Sequence, residues 1–262
     1  MKKRKLVSIA SALASALKTF SLLALTTILL SGCTDSSDSS YDLVIANGRV
    51  IDPQTQLDAV RHLGINGGTI SEISQQPLQG TNVIDASGLV VAPGFIDVHT
   101  HSPTLLGQQS NLLDGVTTQL DLEAGAFPVS FYGEHFRDGA QINYGSSVGH
   151  WAVRTKVIEG IDMPYIFAGN KVLTMAGATW TQTATQEQIE QMRGLLNQGL
   201  DEGGLGIGVL LDYMTTAVSD AELEMLFEVA AAREVPLYIH VRRGYTGDPA
   251  GLIEVIELAK KT

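Results

Sequence analysis

The 262-residue sequence has a single cysteine, Cys33, so no disulfide can form within one chain. Basic residues are scarce. Seventeen Lys and Arg stand against twenty-eight Asp and Glu, for a formal net charge of −11. Five of the seventeen lie in the first thirty-two residues, which hold no acid. The acidic remainder argues against nucleic acid as a partner and offers no basic patch to a membrane surface. The apolar run from Phe20 to Leu30 falls short of the ~20 residues that span a bilayer. No internal repeat stands out. The hydrophobic content of 44% is ample for a globular core.

The N-terminus reads as a targeting segment. Lys2, Lys3, Arg4 and Lys5 precede the apolar run, which ends at Leu30-Ser31-Gly32-Cys33. A basic start, a short apolar stretch and small residues at the end predict a secretory signal peptide over residues 1–32. Leu-Ser-Gly-Cys resembles the bacterial lipobox, whose Cys is lipidated, and this would explain a lone thiol in an exported chain. The alternatives are a transmembrane anchor or an ordinary signal with a chance Cys. On the lipobox reading Cys33 is the lipidation site, and membrane contact comes through that lipid. Thr34, in place of Asp, points to the periplasmic side of an outer membrane. Residues 33–40 are polar, with no apolar content after Cys33, and read as a flexible tether.

Residues 41–92 predict a small β-sandwich-like domain of short strands. Asn47-Gly48 and Asn66-Gly67-Gly68 sit between apolar runs, the strongest short hairpin signal. The rhythm changes after Pro93-Gly94. Strands are predicted at 94–99, 115–123, 142–148, 206–211 and 237–241. Helical spacing appears in Ile189, Met192, Leu196 and Leu200 behind Thr185-x-x-Gln188. It recurs in Leu223, Leu226, Phe227 and Ala230 behind Ser219-x-x-Glu222. Strands alternating with helices predict an α/β fold with a parallel sheet. Residues 93–262 read as the first five βα units of a (β/α)8 TIM barrel, with three units expected beyond them. The sequence is therefore read as an N-terminal fragment.

Barrel enzymes place their chemistry at the carboxyl ends of the strands. His99 and His101 alternate at the end of the first strand, so their imidazoles share a face and suit a metal such as Zn²⁺. Gln119, Asp121 and Glu123 share a face of the second strand, with Glu123 at its end. An unpaired acid in a barrel interior is costly, which favours a cation beside it. His240 ends the fifth strand. His150 closes the third and is a candidate substrate contact. His62 and His135 are read as surface residues in turn or helix contexts.

The stretch from Ala92 through Pro93-Gly94-Phe95-Ile96-Asp97-Val98 to His99-Thr100-His101 resembles the amidohydrolase superfamily signature. Gly115-Val116-Thr117-Thr118, Gly149-His150-x-x-x-Arg154, residues 200–206 and His240-Val241-Arg242 resemble the N-acyl-D-amino-acid deacylase (D-aminoacylase) family. Residues 120–125 and Asn143-Tyr144-Gly145 are most similar to its D-glutamate deacylase branch. The resemblance runs from about Tyr41 onward. It implies a metal-dependent hydrolase of N-acyl-D-amino acids, with one or two Zn²⁺ or another divalent ion. It implies His99, His101, Glu123 and His240 as ligands. Glu123 stands where many D-aminoacylases have Cys. A related branch bridges two metals with a carbamylated Lys on strand four, and residues 206–211 contain no Lys. Glu123 is then the candidate bridge. The family's general-base Asp belongs to strand eight, so no catalytic base is expected in residues 1–262 and turnover by them alone is expected to be negligible. Arg242 and Tyr213 are candidates to hold the substrate carboxylate, Arg through its planar fork. Two alternatives remain: a cyclic-amide hydrolase resembling dihydroorotase or hydantoinase, and a non-catalytic lipoprotein fragment.

Overall fold

The computed structural model describes residues 40–101, 103–134, 136–166 and 176–262, without the side chain of Tyr245. The expected signal peptide, Cys33, nearly all of the tether and His135 lie outside the described residues. Two compact units divide at Pro93 and Gly94.

The first unit contains β1 (Tyr41–Asp52), β2 (Leu57–Asn66), β3 (Thr69–Ser74), β4 (Gly80–Asp85) and β5 (Val90–Val91). They form one mixed sheet in the order β3-β2-β1-β4, with β5 also on β1. The strands β1–β2 and β2–β3 pair antiparallel, while β4 and β5 run parallel to β1. This is a single layer rather than a sandwich. Asn66 pairs with Thr69 across Gly67 and Gly68, whose φ values of 56° and 77° suit the two positive-φ positions of a tight hairpin. Asn47-Gly48 does not make the expected hairpin. Strand β1 runs straight through it with one extra residue opposite β2. Asn47 takes φ 63° and its side-chain Nδ2 donates to Asp85 Oδ1 at 3.0 Å. A Cβ on Gly48 would lie 2.5 Å from Val91. The pair therefore makes a bulge that lets β5 pack closely. His62 is half-buried on β2, not in a turn or helix, and its Nδ1 faces the Asn47 backbone N–H at 3.4 Å.

In the second unit the strands are β6 (Phe95–Asp97), β7 (Val116–Ala126), β8 (Asn143–Gly149), β9 (Ile207–Val209) and β10 (Leu237–Ile239). The helices are α1 (Leu105–Leu113), α2 (Ser130–Glu134), α3 (His150–Glu159), α4 (Ala178–Thr181), α5 (Gln186–Asp201), α6 (Asp220–Arg233) and α7 (Ala250–Ala259). Every strand pair is parallel and the spatial order follows the chain, β6-β7-β8-β9-β10. This is the sheet of a partial (β/α) barrel.

Helix α5 starts as its sequence dictates. The Thr185 hydroxyl accepts from the Gln188 amide and the Gln188 side chain answers to the Thr185 amide, at 3.2 and 2.9 Å. Its face of Ile189, Met192, Leu196 and Leu200 is buried in the core, and Gly199 lets it close on Val148. Helix α6 uses only half of the analogous box. Ser219 accepts from the Glu222 amide at 3.3 Å, but the Glu222 side chain turns inward to His150 and Arg154.

Candidate metal centre

Strand β6 is shorter than alternation suggests. It ends at Asp97, whose Oδ1 accepts from the His99 amide at 3.0 Å. His99 and His101 therefore sit on the segment after the strand, tied to β7 by a bridge from His99 to Asp121 and by Thr100 N–H to Leu120 O at 3.2 Å. Their rings still converge, edge to face, with centroids 5.2 Å apart. The pleat does not aim them; the Asp97 turn and the bridge to β7 do.

Glu123 is carried by a bulge. Between Asp121, opposite Ser146, and Ala126, opposite Val148, β7 has three more residues than β8. Two of the carbonyls this frees are answered by side chains: Leu122 O accepts from Ser147 Oγ at 2.7 Å and Ala124 O from Trp151 Nε1 at 2.9 Å. Gly125 closes the bulge with φ 65°, where a Cβ would lie 2.5 Å from Ser147 Oγ. On the neighbouring strand Gly208 leaves room for the Leu122 and Glu123 carbonyls.

The Glu123 carboxylate is the meeting point. Oε2 lies 3.1 Å from His99 Nε2 and 3.3 Å from His101 Nε2. Oε1 lies 2.6 Å from His240 Nδ1, just past the end of β10. Ligand atoms of His99, His101 and Glu123 fall within 4.8 Å of one another. His240 approaches from the other carboxylate oxygen. Burial alone would raise the Glu123 pKa, but hydrogen bonds from His101 and His240 and the nearby His99 hold it below its usual value. His101 is pushed up to about 10, first by its hydrogen bond to Asp121 and then by that to Glu123. Two carboxylates that favour a proton on His101 favour a cation in its place, since metal and proton compete for one lone pair. Imidazole nitrogens around a carboxylate suit zinc.

Three further residues surround this cluster. Asp121 is fully buried, with Oδ2 3.1 Å from His101 Nδ1. Asp212 Oδ2 is 3.9 Å from His240 Nε2. Tyr213 packs its ring edge-on to His240, centroids 5.0 Å apart. Tyr213 is therefore beside the cluster. Arg242 is turned elsewhere. Its guanidinium donates to the carbonyls of Thr215 and Val218 and pairs with Glu254, so it holds loop and helix together. Those partners occupy the fork expected to hold a substrate carboxylate. His150, a candidate substrate contact by its sequence, is turned elsewhere too. It opens α3, fully buried, with Nε2 2.8 Å from Glu222 Oε1, because Gly149 ends β8 and the chain turns inward there. It faces a buried acid, not the cluster. The sequence places Asp121 on the Glu123 face but carries no sign of its contact. Asp212 and Glu222 lie in a short turn and a helix start, where acids are common.

Residues 82–208 match the model of the amidohydrolase family. A D-aminoacylase from Alcaligenes xylosoxydans xylosoxydans is 26% identical over 220 residues, 72% of this chain and 42% of that protein. A dihydroorotase from Streptococcus pyogenes serotype M3 is 48% identical over 60 residues, 22% of this chain and 14% of its own. Among solved structures, an N-acyl-D-glutamate deacylase from Bordetella bronchiseptica, complexed with zinc and a phosphonate inhibitor, is 25% identical. It covers 86% of this chain and 50% of its own at a TM-score of 0.63. A D-aminoacylase variant in complex with copper chloride superposes at a TM-score of 0.66 with 21% identity, over 84% of this chain and 49% of its own. The chain thus spans about half the length of the relatives it matches along most of its own length. It carries an amidohydrolase-family segment over residues 82–208 and is related, at low identity, to the D-aminoacylases.

Proposed function

We propose that this chain provides the metal-binding part of a hydrolase that cleaves the amide bond of N-acyl-D-amino acids, of the D-aminoacylase or N-acyl-D-glutamate deacylase type. One observation carries the reading: a single carboxylate, Glu123, is met by His99 and His101 on one oxygen and His240 on the other. His99, His101 and Glu123 would hold the ion, with His240 on the far side of the carboxylate. A zinc ion held there would supply Lewis acidity toward an acyl oxygen and lower the pKa of a bound water. The protein's own residues do the rest. The bulge fixes Glu123, the segment after β6 presents two imidazoles, and Tyr213 orients the His240 ring beside the acid. The D-aminoacylase and N-acyl-D-glutamate deacylase relatives supply the substrate class.

The test uses the product of the complete reading frame. Zinc-loaded protein is expected to hydrolyse N-acetyl-D-glutamate or another N-acyl-D-amino acid, and His99→Ala to abolish it. No turnover on a panel of such substrates would sink the proposal. A second reading, cyclic-amide hydrolysis, draws on the dihydroorotase match over 60 residues. Strand β9 offers no Lys for the metal bridge that the related branch uses. Turnover of dihydroorotate with none of N-acyl-D-amino acids would favour this second reading. We also propose lipid anchoring through Cys33 in a bacterial envelope, where the lipobox-like Leu-Ser-Gly-Cys is the support. Among the described residues no helix is long and apolar enough to cross a membrane. Labelling with an alkyne palmitate should mark the wild-type protein and not Cys33→Ser.

A further inference from the structure

Asp121 belongs to none of the ligand positions, yet it touches one ligand and the backbone of the bulge that carries another. Its side chain is fully buried. Oδ2 lies 3.1 Å from His101 Nδ1 and also takes the Tyr165 hydroxyl. Oδ1 accepts from the Gly125 amide at 3.2 Å. Gly125 is the residue that closes the Glu123 bulge.

We infer that Asp121 is a positioning residue: it dictates which nitrogen His101 presents to the Glu123 carboxylate, and it pins the bulge that carries Glu123. The inference rests on the metal reading above. An ionised carboxylate only accepts hydrogen bonds, and a neutral imidazole has one N–H. With the ring neutral, as a metal-bound imidazole is, Asp121 on Nδ1 keeps the one proton there and turns the Nε2 lone pair to the side of Glu123 Oε2, 3.3 Å away. Nε2 and that carboxylate oxygen then both line the space a cation would take, which is the arrangement a metal site needs. The bond to Gly125 N–H ties the same carboxylate to the backbone further along β7, across the turn that aims Glu123. Asp121 thereby couples the register of one ligand to the tautomer of another. A purely structural Asp121 would need only its bonds to Tyr165 and Gly125.

The experiment is long-range ¹H–¹⁵N spectroscopy of the imidazoles in the zinc-loaded full chain, with zinc affinity from chelator competition for wild type and Asp121→Asn. The wild type should show His101 ligated through Nε2, with a downfield Nδ1 proton. The variant offers an NH2 toward Nδ1, moves the proton to Nε2, and should lose about 10–100-fold in zinc affinity. Ligation through Nδ1, or unchanged affinity in the variant, would overturn the inference while leaving the metal centre standing. A wild-type chain that takes up no zinc would overturn the metal reading and this inference with it. If Asp121→Asn does not fold, the wild-type spectrum alone decides between Nε2 and Nδ1.

Discussion

Glu222 shows what a single buried charge does in this molecule. Its carboxylate is fully buried, 2.8 Å from His150 Nε2 and paired with Arg154. Burial would raise its pKa, but His150 and Arg154 outweigh that and hold it below the usual range. A depressed folded pKa stabilises the fold above the unfolded value of about 4.3, and the gain is lost as pH falls through the native value. Glu222→Gln leaves the Arg154 charge buried without its acid. It should cost about 3–5 kcal/mol near neutral pH, with less further loss on acidification than wild type, both read by urea unfolding. An effect under about 1 kcal/mol would contradict the pairing. His101 has the opposite sign. Its raised pKa favours the folded state below about 6.5, and that gain is lost as pH rises through about 10. Near neutral pH, zinc uptake should therefore release about one proton from this ring. Calorimetry in buffers of different ionisation enthalpy measures the release, and a value near zero would speak against His101 as a ligand.

At the scale of elements, the bulge in β7 is the feature on which the cluster depends. Ala at position 125 would need a left-handed backbone, costing about 1–2 kcal/mol. It would also press Cβ onto Ser147 Oγ and the Gly149 amide. Gly125→Ala should lower both stability and zinc affinity. Gly194 is the contrast: it lies on the exposed side of α5, where an added methyl group would meet nothing within 4 Å. Gly194→Ala should stabilise by roughly 0.5–1 kcal/mol and leave zinc affinity unchanged. Urea midpoints of the two variants moving in the same direction would contradict this account of the bulge.

The same elements explain what the sequence reveals. Helices α5 and α6 show because each buries one face and exposes the other. Helix α3 does not show, because six consecutive residues, His150 to Thr155, are all buried and leave no helical period to read. Helix α1 hides for the reverse reason, since Leu106 and Leu113 are exposed and Gln108 is buried. The five parallel strands are legible as apolar runs, but β6, β9 and β10 are only three residues long. Site residues at their ends are thus set by turns, which alternation cannot describe. His99, His101, Glu123 and His240 are visible because His-x-His and strand-end positions signal them. Asp121, Asp212 and the inward turn of His150 depend on contacts between residues 20 or more apart in sequence.

For the whole molecule, a parallel half-barrel sheet gathers ligands from β7 and from the segments that follow β6 and β10 into one metal centre. The second unit has a dense core behind that sheet, with Trp151 and Trp180 stacked, Met192 and Leu196 fully buried, and α5 and α6 packed together. Leu196→Ala should cost about 2–5 kcal/mol by urea unfolding, with no direct effect on the ligands. The most direct test of the claim is zinc anomalous diffraction from crystals of the zinc-loaded chain. The account predicts a peak bounded by His99, His101 and Glu123, absent in Glu123→Ala. A zinc-loaded crystal with no peak there, or with its strongest protein-bound peak elsewhere, would contradict it.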